Sequence, residues 1–415
     1  MNLSEILEKS KKASIEMLKA PNESKNKFLA NLSELLCENK TEVLFQNSRD
    51  TKVAKKDKKP DSFIDRLTLS QKRIFAITDS LKAISQSPDP IGKITEERKL
   101  NSGIFLKKMR MPLGVICMIF EARPNVVLDT AALAVKSGNA IVLRGSSDAD
   151  FSNKALVGFV RKSLKKAGLP EDAVLLLEPD REMLKKALNT KGAFDVVIPR
   201  GGKELIDFVV DNSKAPVIET GASVVHLFVD ESADIEKALE ITENSKTRRV
   251  SICNALDTLL VHEKKAEEFL PKMASVFKTK VEMRCCKKAL KILEPLGGVP
   301  VKEEDFDTEF LDFILNIKVV KDLDEAMNHI RKHSLNHTDC IVSTDKKNIE
   351  RFLREVDSAC VFANISTQFS DGGEFGLGAE IGISTQKLHT RGPFALDALT
   401  SEKWVLEGNG QVRSS

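Results

Sequence analysis

One rhythm constrains this chain more than any other feature. Beginning near Gly114, a short continuous apolar run is followed by a stretch with apolar residues three and four apart, and then by another run. GVICMIF, AIVLRGSS, AVLLL, FDVVIPRGG and APVIET read as strands, with helical stretches such as LDTAALAVKSG between them. Strands that are apolar along their whole length are covered on both faces, and their alternation with helices predicts a parallel sheet in a doubly wound α/β domain. A second series, VVHLFVD, LDTLLVH, DFILNIKVV, HTDCIVST and SACVFAN, predicts a second α/β domain. A chain of 415 residues is long enough for two or three cores of ordinary size.

The flanks do not follow the rhythm. From Leu3 to about Ile84 the apolar residues, for example Phe28, Leu32, Leu35 and Leu36, recur at helical spacing. Pro88, Pro90 and Gly92 then break helix, and GIFLKKMRMPLG reads as extended, a candidate hairpin. The tail after Ser384 is short on helical period, so hairpin and tail together are expected to form an added sheet. Such a sheet has unpaired edges that usually pair with another subunit, and the expectation is an oligomer.

Charge excludes some functions. Lys+Arg of 64 against Asp+Glu of 61 leaves an interspersed +3, and the one basic stretch, Lys52 to Lys59, reads as a solvated loop or helix end rather than a nucleic-acid surface. The N-terminus lacks the apolar core of a signal peptide and no run is long enough to cross a bilayer, so a cytoplasmic protein is expected. Seven cysteines without framework spacing suggest reduced thiols.

Context separates those thiols. Cys37, Cys117, Cys340 and Cys360 lie in amphipathic or apolar segments and read as small buried hydrophobes. Cys285 and Cys286 have basic neighbours that would lower a thiol pKa, but the surrounding helix looks like solvated surface. Cys253 stands at a loop-to-strand junction close to Arg248 and Arg249, an accessible electropositive place of the kind a reactive thiolate requires; a structural thiol remains an equal alternative. His329, His333 and His337 are four apart, but Ser334, Leu335 and Asn336 look like a helix end, so helix-end hydrogen bonding or substrate contact is favoured over a metal.

Two strand-to-helix turns suit a phosphate. One carries Arg144, Ser146 and Ser147 at a helix start, and the other has Gly201 and Gly202, where backbone could approach a ligand. Neither is a G-x-G-x-x-G or P-loop sequence, and both could simply be good helix starts. The run SDGGEFGLGAEIGIST is the longest irregular stretch, and long glycine-rich loops in compact domains are more often site loops than linkers.

At these residues, from about Arg110 to Pro393, the chain resembles the aldehyde dehydrogenase superfamily, and within it the branch that reduces gamma-glutamyl phosphate. PLGVICMIFEARPNVVLDTAALAVKSGNAIVLRG looks like the superfamily's entry to the cofactor domain, and SICNALDTLLVH like the branch's nucleophile segment. VVKDLDEAMNHIRKHSLNHTDCI and ANISTQFSDGGEFGLGAEIGISTQKLHTRGP resemble stretches specific to that branch. Two positions depart from it: Leu335 stands where Ser or Thr is usual, and Gln368 where Arg is common.

The resemblance implies an α/β fold with a Rossmann-like NADPH-binding domain (residues 1–97 and 113–224, with part of 365–385). It further implies an α/β catalytic domain (225–364) and a small β oligomerisation element (98–112 and 386–415). It implies Cys253 as nucleophile, Asn125 as oxyanion donor and Glu309, in TEFLDFIL, as the residue that holds the nicotinamide ribose. Arg144, Ser146, Ser147, Gly201 and Gly202 are the other cofactor candidates, and Arg123, Ser366 and Thr367 the candidates for substrate or phosphate contact. The implied reaction is NADPH-dependent reduction of gamma-glutamyl phosphate to glutamate semialdehyde, in a dimer or tetramer, with glutamate 5-kinase a candidate partner and no metal. Hydrolytic relatives carry a water-activating Glu in a segment like APVIETG. A thioester destined for hydride has no use for such a base, so Glu219 is expected to be a wall residue or a coincidence of alignment.

Overall fold

The computed structural model describes residues 1–278 and 280–413. By internal contact the chain divides into two units, Met1–Thr220 with Gly376–Gly382 and Phe394–Ser415, and Gly221–Phe375 with Ile383–Pro393.

The first unit opens with α1 (Leu3–Met17), α2 (Asn22–Glu38), α3 (Lys40–Lys56), α4 (Asp61–Leu67) and α5 (Gln71–Gln86). Phe28, Leu32, Leu35 and Leu36 are buried on one face of α2, as their spacing predicts. Cys37 corrects the reading of it as core filler: one residue beyond that stripe, it is turned to the exposed face. Lys52 to Lys59 is the end of α3 and the turn after it.

After β1 (Ile94–Lys99) and β2 (Phe105–Pro112) comes the predicted alternation: β3 (Val115–Phe120), α6 (Asn125–Lys136), β4 (Ala140–Arg144), α7 (Asp150–Lys166), β5 (Val174–Leu176), α8 (Arg181–Asn189), β6 (Val196–Arg200) and α9 (Lys203–Asn212). The strands pair in parallel in the order β5-β4-β3-β6. The pleat explains why β3 is apolar throughout. Ile116, Met118 and Phe120 enter the core under α2, α5 and α6, whereas Val115, Cys117 and Ile119 enter a separate core with residues of α1, α8 and α9. APVIET does not become a sheet strand: Val217 makes a single parallel bridge to Val197.

The second unit repeats the pattern with β7 (His226–Val229), α10 (Ile235–Thr247), β8 (Thr258–His262), α11 (Glu263–Phe277), β9 (Glu282–Cys285), α12 (Lys287–Leu293), β10 (Val299–Pro300), β11 (Ile314–Val320), α13 (Leu323–His333), β12 (Thr338–Val342), α14 (Lys346–Glu355) and β13 (Cys360–Ala363). Its seven strands are parallel, in the order β10-β9-β11-β8-β7-β12-β13. Two were invisible in sequence. The Cys285 region, expected to be solvated helix, is β9: Met283 and Cys285 face the core while Arg284 on the other face pairs with Glu282 and Asp305. Burial pushes the Cys285 thiol up to about 12, so its basic neighbours do not make it reactive. α13 stops at His333, and Asn336 adopts a left-handed φ of 59°, so His337 leaves the helical stripe as its cap residues predict.

Past β13 the chain runs through a short helical turn at Thr367–Phe369 and the glycine-rich loop to β14 (Gly382–Ser384), β15 (Gly392–Phe394) and β16 (Thr400–Glu407). The glycine-rich run is thus irregular only as far as β14. β16 pairs antiparallel with β2, and β2 with β1, so hairpin and tail do make a three-stranded sheet; it falls within the first unit. Ile94, Phe105, Trp404 and Leu406 on it are exposed. Among the described residues no helix is long and apolar enough to cross a membrane.

Candidate active site

In an open parallel sheet the ligand crevice lies beyond the carboxyl ends of the strands, where successive strands diverge. In the first unit the chain builds β3, β4 and β5 outward and then returns to the other side of β3 for β6, so that crevice lies between β3 and β6. Glu121, Arg123 and Asn125 follow β3 there, and Gly201 and Gly202 follow β6. The Glu121 carboxylate accepts the Gly202 N–H at 2.9 Å. A Cβ at Gly201 would stand 2.7 Å from the Glu121 Oε2 and the Leu205 Cδ2, so any larger residue would have to turn these two flexible side chains aside. Gly202 is open, with Glu121 its one neighbour at 3.9 Å. A carboxylate at this turn opposes a phosphate and suits a hydroxyl, which can donate to it.

The turn after β4 differs from its expected form. Asp50 of α3 accepts the N–H groups of Phe151 and Ser152 at 3.2 and 2.8 Å, and the Ser146 hydroxyl donates to Asp148. A carboxylate of the protein thus already answers the first turn of α7, while Ser146 and Ser147 stand at the short helical turn before it. Arg144 fares better as a cofactor residue. It is half-buried at the end of β4, donates to the Pro179 carbonyl only at 3.4 Å, and has a buried Nε without a hydrogen-bond partner.

Asn125 is the first residue of α6, and its Nδ2 donates to Asp129 at 3.0 Å. Burial raises the Asp129 carboxyl to about 6, against the lowering effects of the Asn125 hydrogen bond and of Arg200 at the end of β6. Arg123 lies partly buried in the turn before α6, and Glu219 is half-buried in the segment after α9.

In the second unit Cys253 stands half-buried in the turn between α10 and β8, at the amino edge of the sheet, with Arg248 and Arg249 exposed on the same loop. The segment after β13 clamps this loop. Thr367 donates to the Asn254 carbonyl at 2.7 Å, the Asn254 amide donates to the Ser370 carbonyl at 2.9 Å, and Ser245 donates to Ser366 at 3.2 Å. Gln368 donates to the carbonyls of Ser245 and Arg249 and accepts from Arg248 at 3.1 Å. Thr367 is fully buried and Ser366 nearly so. The Thr367 hydroxyl donates to the Cys253 loop, and the Ser366 hydroxyl accepts from Ser245 at its start.

Glu309 precedes β11, the strand next to β8, so its loop and that of Cys253 share one edge. Its carboxylate accepts from Ser223 at 3.0 Å, and burial raises its pKa. Between the two loops lies a buried pair that sequence reading passed over. Lys246 Nζ donates to the Leu256 carbonyl at 2.9 Å, and Asp257 accepts the N–H groups of Val225 and Phe310 at 3.1 and 3.3 Å. Burial lowers Lys246 to about 8 and raises Asp257 to about 7, each moderated by the other's charge. No sequence signal marks the pair: Lys246 is one charge among several in ENSKTRR, and Asp257 reads as the polar residue before an apolar strand. The histidines of α13 are turned inward: His333 meets Asp307 at 2.7 Å and His329 meets Lys318 at 3.0 Å. Among the described residues no group of three or more His, Cys, Asp or Glu could hold a metal.

A parallel unit with a carboxylate at its crevice, in one chain with a second parallel unit that presents a thiol on a clamped loop, has the parts of a thiol-dependent dehydrogenase. The aldehyde dehydrogenase family model matches residues 1–285. Gamma-glutamyl phosphate reductase of Petrotoga mobilis is 45% identical over 100% of both chains, and that of Caldanaerobacter subterraneus 46% identical over 98% of each. The crystal structure of gamma-glutamyl phosphate reductase from Thermotoga maritima superposes with a TM-score of 0.96 at 42% identity, covering 100% of both chains. The chain belongs to the aldehyde dehydrogenase family and, within it, to the gamma-glutamyl phosphate reductases.

Proposed function

We propose that this enzyme reduces L-glutamate 5-phosphate to L-glutamate 5-semialdehyde and phosphate with NADPH, through a thioester on Cys253, as the second step of proline synthesis from glutamate. The full-length match to the reductases carries the reaction, and the Cys253 loop supports the assignment of the nucleophile. Asn254 and Arg249, on either side of the thiol, are hydrogen-bonded to the segment after β13 while Cys253 itself is only partly buried, the arrangement a positioned nucleophile needs.

Cys253 as thiolate attacks the acyl carbon; the carbon–oxygen bond to phosphate breaks and a thioester forms. The Asn125 amide is assigned as a donor to the oxyanion of this step, a donor of this kind being worth about 3 kcal/mol in the transition state. NADPH supplies, when bound, the hydride that turns the thioester into aldehyde and frees the thiolate. The residues present suit that cofactor: Arg144 has an orphaned buried nitrogen for a ribose phosphate, the Glu121 and Gly202 turn offers an acceptor to hydroxyls, and Glu309 offers a second carboxylate for the nicotinamide ribose. Arg123, with Ser366 or Thr367, is assigned to contact the substrate or its phosphate. The exposed apolar residues of the β1-β2-β16 sheet support a homo-oligomer.

The experiment is the reverse reaction. Glutamate semialdehyde should reduce NADP⁺ only when inorganic phosphate is present, and Cys253→Ala should abolish it. Reduction that proceeds equally without phosphate would assign the chain a hydrolytic dehydrogenase activity instead.

A further inference from the structure

We propose that Asp129 is a positioning residue that fixes which edge of the Asn125 amide is offered to the oxyanion. The proposal rests on the reading of Asn125 as an oxyanion donor. An amide has a donor edge and an acceptor edge of nearly the same shape, and only the donor edge stabilises a negative oxygen; a half-turn about the last side-chain torsion brings the carbonyl, which repels it. Nothing within Asn125 chooses between the two.

Asp129 makes the choice. It lies one turn further along α6, on the same face, and meets Nδ2 at 3.0 Å. An ionised carboxylate can only accept, so it holds Nδ2 toward itself and leaves the second hydrogen of that nitrogen for the substrate. The helix gives both residues a fixed base, because Val126, Val127, Leu128 and the turns that follow are buried. Arg200, at the end of β6, is the charged group that faces Asp129 and favours its ionised form. A protonated Asp129 could donate to the Asn125 carbonyl oxygen, so the discrimination is lost once its carboxyl, raised to about 6 by burial, takes up a proton.

The test compares Asp129→Asn, Asn125→Ala and the double variant by kcat and KM across pH 5 to 8, in the forward direction with saturating NADPH. Asp129→Asn replaces an acceptor by a group that donates or accepts equally well. It should lower kcat roughly tenfold with KM within about twofold of wild type, and should flatten the acid limb of the kcat profile. Because Asp129 acts through Asn125, the double variant should be no slower than Asn125→Ala alone; losses that multiply would overturn the inference. If Asp129→Asn does not fold, Asp129→Glu, which keeps an acceptor carboxylate, takes its place. It must retain more kcat than Asn125→Ala and an acid limb, and the inference falls if it does not. An Asn125→Ala enzyme with normal kcat would sink the Asn125 reading itself, whereas a slow Asn125→Ala beside a normal Asp129→Asn would sink this inference alone.

Discussion

Thr367 has no exposed surface, and its hydroxyl reaches the carbonyl of Asn254, the residue after Cys253, at 2.7 Å. Thr367→Val keeps the shape and removes the donor, leaving a buried carbonyl unsatisfied at a cost of ~1–3 kcal/mol. A thermal melt should show the loss, and kcat should fall while KM for NADPH holds, because the Cys253 loop loosens and the first unit's cofactor residues do not. An unchanged melt would mean that Thr367 does not hold the loop. The segment containing Thr367 is legible as part of the site from its flanks. What sequence cannot show is the direction of one hydroxyl, toward ligand or toward backbone. The same limit applied to Ser146: its hydroxyl turns to Asp148, two residues on, and Asp50 reaches the start of α7 only on folding.

At the scale of elements, Lys246 at the end of α10 and Asp257 at the start of β8 join the Cys253 loop to the loop that carries Glu309. Removing one partner leaves a buried charge. Lys246→Met should destabilise the protein, and the loss should depend on pH in a definite direction. The Asp257 carboxyl is raised above its ordinary value of 3.8 to about 7, so its contribution to stability is full below 3.8 and is lost as pH rises through 7. Without Lys246 that loss deepens. Urea unfolding should show a larger deficit at pH 8, approaching ~3 kcal/mol, than at pH 6; a deficit independent of pH would overturn it. The histidine end of α13 has the opposite sign. Burial, and then the charges of His226, Lys318 and His333, lower His329 from 6.5 to about 2. Its contribution is full above 6.5 and fades as pH falls below that value, because the unfolded chain takes up the proton first. His329→Phe should flatten the loss of stability between pH 7 and 5, and a slope equal to that of wild type would refute the assignment.

Across the whole molecule, the sheet of β1, β2 and β16 exposes Ile94, Phe105, Trp404 and Leu406, with exposures of 40, 45, 50 and 55%. If it joins subunits, Trp404→Glu with Leu406→Glu should shift the mass in light scattering toward the monomer and leave the phosphate-dependent reaction measurable; an unchanged mass would place the contact elsewhere. The two α/β series and the helical N-terminus were determined by the sequence, because each depends on a period of apolar residues that survives in one dimension, and the hairpin and tail stood out by lacking the helical one. β9 was hidden since polar Arg284 alternates with Met283 and Cys285, a pattern too short to separate from helix. The sequence also determined that Cys253, by the match of its flanks, is the thiol to consider. Only the tertiary structure decided which groups hold its loop, that Asp50 answers the start of α7, that Lys246 and Asp257 are buried together, and that Asp129 meets Asn125. Pair interactions of this kind fall off within a few ångströms, and residues as far apart as 254 and 367 acquire such distances only when the chain has folded.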